Sequence, residues 1–168
     1  KLIDGIEEVL EETGSDLSDL VTIGIGCPGI IDIYTGTVKV SSNVSFFKNY
    51  PLAEKLKAKL RVPVFIENDA NAALFGEQQF GAARGHGEVV GVFLGTGIGG
   101  ALIINGHLYR GVSGGAGEIG QTFLSIPSVS DFETTRLKVG ALVGRNAIAS
   151  EAGFLLLRQK CPHLLEEI

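Results

Sequence analysis

The chain has 168 residues, 45% of them apolar, enough to bury a real core and to exclude a tail or a linker. Fourteen Lys and Arg against nineteen Asp and Glu give a net charge of −5 with no basic stripe, which disfavours nucleic-acid binding through this segment. No apolar run reaches the ~18–20 residues of a membrane span, no signal peptide is visible, and Cys27 and Cys161 form neither a CxxC pair nor a disulfide framework, so the expectation is a cytoplasmic protein with no membrane partner.

In chain order, Leu2, Ile3, Ile6, Val9 and Leu10 recur at helical spacing over Leu2 to Glu12, and Gly14 follows where a left-handed cap would sit. Val21 to Gly26 reads as a strand that stops at Cys27-Pro28-Gly29, and Thr37 to Val40 as a weaker one. Pro51 opens a second amphipathic helix through Leu52, Leu56 and Leu60, which leads into a strand over Val62 to Ile66. This alternation of helix and strand predicts an α/β fold with parallel strand pairs. After Glu67-Asn68-Asp69-Ala70-Asn71 an Ala- and Leu-containing run through Phe75 predicts another helix.

A β-rich section follows, with strands over Glu88 to Leu94 and Ala101 to Ile104, and Asn105-Gly106 is the dipeptide of a two-residue hairpin before His107 to Arg110. Glycine-rich Gly81 to Gly87 marks the expected boundary between two parts. Past Gly111 come a glycine-rich loop and a helical tail expected from Glu133 onward.

Glycine is the compositional outlier: 24 of 168 residues, with 15 of them between Gly76 and Gly120 and none from 37 to 75. Leu94-Gly95-Thr96-Gly97-Ile98-Gly99-Gly100 lies between two strands, where bare backbone can offer successive N–H groups to a phosphate. It is neither a dinucleotide fingerprint nor a P-loop, and a hairpin that merely lets strands approach is the competing reading. Asp69 follows a strand and precedes a helix, the position of ligand crevices in α/β sheets. A carboxylate there suits a general base, while Asn68 and Asp69 are equally good N-caps. Glu118, in Ala116-Gly117-Glu118-Ile119-Gly120, can accept several hydrogen bonds from sugar hydroxyls or form a loop salt bridge. His86, His107 and His163 have no partners at metal spacing.

Taken together, Gly24-Ile25-Gly26-Cys27-Pro28-Gly29, Glu67-Asn68-Asp69-Ala70-Asn71-Ala72-Ala73, the Leu94 to Gly100 turn and Ala116 to Gly120 resemble, in order and spacing, the ROK family of repressors, open reading frames and sugar kinases. The likeness runs from about Val21 to Gly120 and more loosely to Ser150. It implies the two-lobed actin, hexokinase and heat-shock-ATPase fold (ribonuclease H-like), here an incomplete portion, with sugar and ATP meeting in a cleft. Residues 1–83 would be the back part of lobe one and 84–168 the front part of lobe two.

By the same resemblance Asp69 matches the catalytic base of an ATP- and Mg2+-dependent kinase of a hexose or N-acetylhexosamine. Gly95, Thr96, Gly97 and Gly99 match a phosphate loop, and Gly29, Asn43, Asn68 and Glu118 match the sugar side. Gln121 stands where the family usually has a His that binds sugar and a structural zinc, and Ser125 to Ser130 replaces the cysteine cluster, so no zinc is expected. Glu133 is the counterpart of a second sugar-binding Glu.

The family's Asp-Gly-Gly-Thr phosphate loop would lie upstream and its adenosine-binding segment downstream, and the absence of Met leads us to expect that Lys1 is not the native start. Members often pair, so a homodimer is an expectation from the resemblance alone. A second function is consistent with the altered zinc position: the sugar-sensing part of a transcriptional regulator, whose DNA-binding domain would lie elsewhere. Retention of Asp69 and the phosphate turn favours the kinase.

Overall fold

The computed structural model describes residues 1–41, 44–127 and 134–160. By internal contacts the chain divides into two units, Lys1–Gly85 with Arg110–Gly115, and His86–Tyr109 with Ala116–Ile168.

The first unit opens with α1 (Leu2–Thr13). Gly14 ends it in the left-handed region, φ 65°, with its N–H on Glu11 O while Ser15 N–H returns to Leu10 O. Strand β1 (Ile23–Cys27) is followed by β2 (Ile30–Asp32), β3 (Thr37–Val40) and β4 (Lys48–Tyr50), and these last three form an antiparallel sheet. Helix α2 (Leu52–Leu60) buries Leu52, Ala53, Leu56 and Leu60, the stripe expected from its spacing. It returns the chain to β5 (Val64–Asn68), which pairs parallel with β1 in the register Ile23 to Val64 through Cys27 to Asn68. Cys27, Ile31, Val38, Leu56 and Ile66 form one core with the α2 stripe, and Ile3 and Ile6 of α1 pack against it. Helix α3 (Asp69–Phe80) starts directly at the end of β5 and crosses β1, where a Cβ on Gly26 would stand 3.5 Å from Asp69 Cα.

The second unit contains β6 (Val89–Leu94), β7 (Ile98–Ile104) and β8 (His107–Leu108), an antiparallel sheet in the order β6-β7-β8. Asn105 and Gly106 have φ of 51° and 78°, the two positive values a tight primed turn demands. A single turn of 3-10 helix spans Ile119–Gln121, then β9 (Phe123–Pro127) pairs antiparallel with β10 (Thr134–Lys138). Helices α4 (Val139–Val143) and α5 (Arg145–Lys160) close the described chain.

The tail therefore departs from the expected helix. Thr134 to Lys138 is a strand because the β-branched Thr134-Thr135 pair and its neighbours find a ladder partner in Phe123–Pro127, and helix begins only at Val139. Glu133, the expected start of that helix, lies outside the described residues, as does Asn43.

Candidate functional site

In the first unit the strand β5 delivers Glu67, Asn68 and Asp69 to its carboxyl end. Asn68 is buried, 8% exposed, and its side chain works in two directions. Oδ1 accepts from Asn71 N–H at 3.1 Å and so caps α3, while Nδ2 donates to Gly29 O at 3.1 Å. Gly29 sits at φ 120°, and a Cβ on it would collide with Val40 O and crowd Ser41, so only glycine brings this carbonyl to Asn68.

Asn68 is thus the helix cap, and Asp69 is relieved of that duty. Its carboxylate lies on an exposed residue at the first turn of α3, with Oδ1 accepting from the amide of its own neighbour Ala70 at 3.0 Å. An anion there is favoured by the helix dipole. The thiol of Cys27, buried one strand away, is pushed above its ordinary pKa by burial first and by the charge of Asp69 second. It is a protonated core group, not a nucleophile.

Two residues that no spacing argument singled out complete this cluster. Glu67 Oε2 receives Arg110 Nε at 2.8 Å and Nη2 at 2.5 Å, and Oε1 receives Asn68 N–H at 2.9 Å and Asn71 Nδ2 at 3.1 Å. Arg110 opens the segment Arg110–Gly115, which belongs to the first unit although the residues before it belong to the second. The available signal was that Glu67 stands in β5, two residues before Asp69 at the head of α3.

In the second unit the glycines fall into two kinds. A Cβ on Gly120 would strike Ile98 O, one on Gly100 would strike Gly117 O, and one on Gly144 would strike Thr96 O. Gly117 needs glycine for a further reason, its φ of 83°. These residues let backbones stack, which is the strand-approach reading. Gly95 is different: a Cβ there meets nothing within 4 Å, its φ is not positive, and one on Gly97 would make only an ordinary contact with Gly140 O at 3.8 Å. The turn that carries them is closed by Gly95 N–H on Gly97 O and tied to the start of α5 by Arg145 N–H on Gly95 O, both 2.9 Å. Gly99 lies in β7 opposite Phe93. Among the described residues no neighbour requires bare backbone at Gly95 or Gly97.

Glu118 precedes the 3-10 turn, and its carbonyl accepts from Gln121 N–H at 3.1 Å. Because Gly120 packs on Ile98, this turn lies against the first residue of β7, next to the Gly95–Gly97 segment. Gln121 is exposed and held by Lys138, whose Nζ donates to Oε1 at 2.7 Å. No group of three His, Cys, Asp or Glu among the described residues is arranged to hold a metal. An ammonium already at Gln121 Oε1 makes that atom a poor site for a second cation.

Comparison with known proteins gives this arrangement a context. A model of the ROK family matches residues 1–166. A glucokinase of Thermotoga maritima is 44% identical over 114 residues, 68% of this chain and 35% of the relative. A xylose repressor of Bacillus subtilis is 44% identical over 119 residues, 71% of this chain and 30% of the relative. The crystal structure of a ROK family glucokinase from Streptomyces griseus in complex with glucose and AMPPNP superposes with a TM-score of 0.75 at 31% identity, covering 96% of this chain and 50% of that one. The chain thus spans about a third of the length of these curated relatives and half of the solved one. Its fold is a part of the actin- and hexokinase-like fold of such sugar kinases.

Proposed function

The chain belongs to the ROK family, and from that premise we propose that the intact protein transfers the γ-phosphoryl group of ATP to a hydroxyl of a hexose or N-acetylhexosamine, with Asp69 as general base. The observation that carries this reading is the division of labour at the head of α3. Asn68 supplies the cap, leaving the neighbouring carboxylate exposed and oriented at a helix N-terminus.

In this reading Asp69 accepts the proton of the attacking hydroxyl as the new O–P bond forms. The bond to the bridging oxygen breaks, and ADP leaves with the electron pair. Asn68 and Gly29 belong to the sugar side together with Asn43, Glu118, Gln121 and Glu133. Gly95, Thr96, Gly97 and Gly99 line the phosphate turn, which Gly95 N–H closes on Gly97 O. Mg2+ accompanies the phosphates as part of the nucleotide substrate and neutralises charge that develops on them. Residues 1–83 act as the back part of lobe one and 84–168 as the front part of lobe two. Zinc has no role at Gln121, for which the Lys138 ammonium is the supporting observation.

No helix among the described residues is long and apolar enough to cross a membrane. The same reading includes a cytoplasmic protein whose partners are sugar and ATP, with no nucleic acid bound through this segment of net charge −5. Pairing into a homodimer belongs to the same reading. The test is phosphorylation by the intact protein of a panel of glucose, mannose, N-acetylglucosamine and N-acetylmannosamine. Asp69→Asn is expected to lower turnover of the best substrate by ~10²- to 10⁴-fold, and an unchanged turnover removes Asp69 from the role.

One observation favours a second reading. The xylose repressor is as similar as the glucokinase, so a sugar-sensing effector region is the alternative. It predicts sugar binding by the intact protein with no sugar phosphate formed.

A further inference from the structure

Glu67 receives four N–H groups. Arg110 supplies two of them to Oε2, at 2.8 and 2.5 Å, and the residues on either side of Asp69 supply the other two to Oε1, Asn68 through its backbone at 2.9 Å and Asn71 through Nδ2 at 3.1 Å. A guanidinium is a rigid planar fork, and gripping one carboxylate oxygen through Nε and Nη2 fixes where the other one points. Here the second oxygen points at the Asn68 amide, one residue before Asp69, and at the Asn71 side chain, one position beyond Ala70. The pair is partly buried, with side-chain exposures of 32% for Arg110 and 21% for Glu67, and Asn71 is buried at 3% exposure.

The segment Arg110–Gly115 packs on the first unit through Gly114. Gly114, four residues on, approaches Ile31 O so closely that a Cβ would stand 3.0 Å from it, at a φ of 83°.

We propose that Glu67 and Arg110 are positioning residues, a clamp in which Arg110 orients the Glu67 carboxylate and Glu67 in turn holds the Asn68–Asn71 turn that aims Asp69. Neither touches a reacting atom. This rests on the reading of Asp69 as base. With Arg110 removed, Glu67 loses the partner that fixes its carboxylate plane, and its terminal torsion, which is broad in the absence of partners, releases Asn68 N–H and Asn71 Nδ2 together. Misplacement of a catalytic group by ~1 Å can cost ~10²-fold in rate.

The experiment uses the intact protein with ATP, Mg2+ and the best hexose of the panel, and measures kcat, both KM values and the unfolding midpoint for Arg110→Met, Arg110→Lys, Glu67→Gln, the Glu67→Gln/Arg110→Met double variant and Asp69→Asn. Arg110→Met and Glu67→Gln are expected to lower kcat by ~10- to 10²-fold while KM for ATP stays within about twofold. The double variant should be no slower than the worse single one, because the two act as one unit. Arg110→Lys keeps the charge without the fork and should recover part of the loss, and it also serves if Arg110→Met does not fold.

A kcat within about twofold of the unaltered protein for a folded Arg110 or Glu67 variant overturns the clamp. So does a kcat loss that merely tracks the unfolded fraction. If Asp69→Asn collapses turnover while these variants do not, the clamp alone fails. If Asp69→Asn leaves turnover intact, the base reading fails and takes the clamp's catalytic role with it.

Discussion

Lys138 donates from Nζ to Gln121 Oε1 at 2.7 Å, and the same ammonium lies 6.0 Å from the centroid of the Phe123 ring. Phe123 and Lys138 are opposite one another in the β9–β10 ladder, so strand pairing delivers the lysine to the end of the 3-10 turn that carries Gln121. An ammonium has only donors, and the contact therefore settles which way the amide points. Oε1 faces Lys138 and Nε2 is left to interact elsewhere.

If Gln121 contacts sugar, it does so as a donor to a sugar oxygen. Gln121→Glu keeps the lysine partner but replaces the donor by an acceptor, and it is expected to raise the sugar KM by roughly 10-fold or more, the scale of one lost hydrogen bond with an unpaired group left behind. Lys138→Met, which frees the amide to rotate, should have a smaller effect of about 2- to 5-fold. Calorimetric titration of sugar into both variants checks the order. Equal affinities across the series would remove Gln121 from the sugar side.

The two kinds of glycine predict opposite phenotypes. Gly120→Ala drives a methyl group into the Ile98 carbonyl and is expected to cost about 1–3 kcal/mol or more of stability through overpacking. Gly95→Ala projects a methyl group into open space, so its unfolding midpoint should stay close to that of the unaltered protein while KM for ATP rises. Denaturant titration beside nucleotide kinetics separates them. A stable Gly95→Ala protein with unaltered KM for ATP argues that the turn holds no phosphate.

Asn68 joins a helix cap to a strand-end carbonyl, so its removal should be felt as stability before it is felt as chemistry. Asn68→Ala loses the acceptor for Asn71 N–H and leaves Gly29 O without its donor. A lost cap costs about 1 kcal/mol, and the half-buried Gly29 carbonyl left without its donor adds to that loss. Urea unfolding of the variant measures the total, and a loss below about 0.5 kcal/mol would show that the side chain is not holding the two elements together.

Much of this arrangement is legible in the chain because the signals are local. The leucine stripe of α2, the Asn105-Gly106 turn and the run of strand residues before Asp69 each need only a few consecutive residues to be recognised. The β9–β10 hairpin was not legible. The Phe123–Pro127 and Thr134–Lys138 segments lack the apolar alternation that advertises a strand, and each is a strand through the other. Glu67 and Arg110 are 43 positions apart in the sequence, and no periodicity relates an arginine after β8 to a carboxylate in β5. The glycine excess was visible from the start, but its division into stacked and open positions depends on which backbone passes over each residue, which only the tertiary fold supplies.

Cys27 offers a check on the surroundings of Asp69 that does not depend on catalysis. Its thiol pKa is raised, by burial and then by the charge of Asp69, so the folded protein binds the thiol proton more tightly than the unfolded chain does. The contribution to stability is complete below the unfolded thiol's pKa and is lost as pH rises through the folded one. Alkylation of native Cys27 should therefore be slow near neutral pH and accelerate only at strongly alkaline pH, with peptide mapping to separate it from Cys161. Asp69→Asn removes the second cause and leaves the first, so it should move the alkylation profile toward lower pH without bringing it to that of an exposed thiol. A profile that does not move would mean that the thiol and the carboxylate are electrostatically independent, and that the end of β5 is not arranged around Asp69 as described.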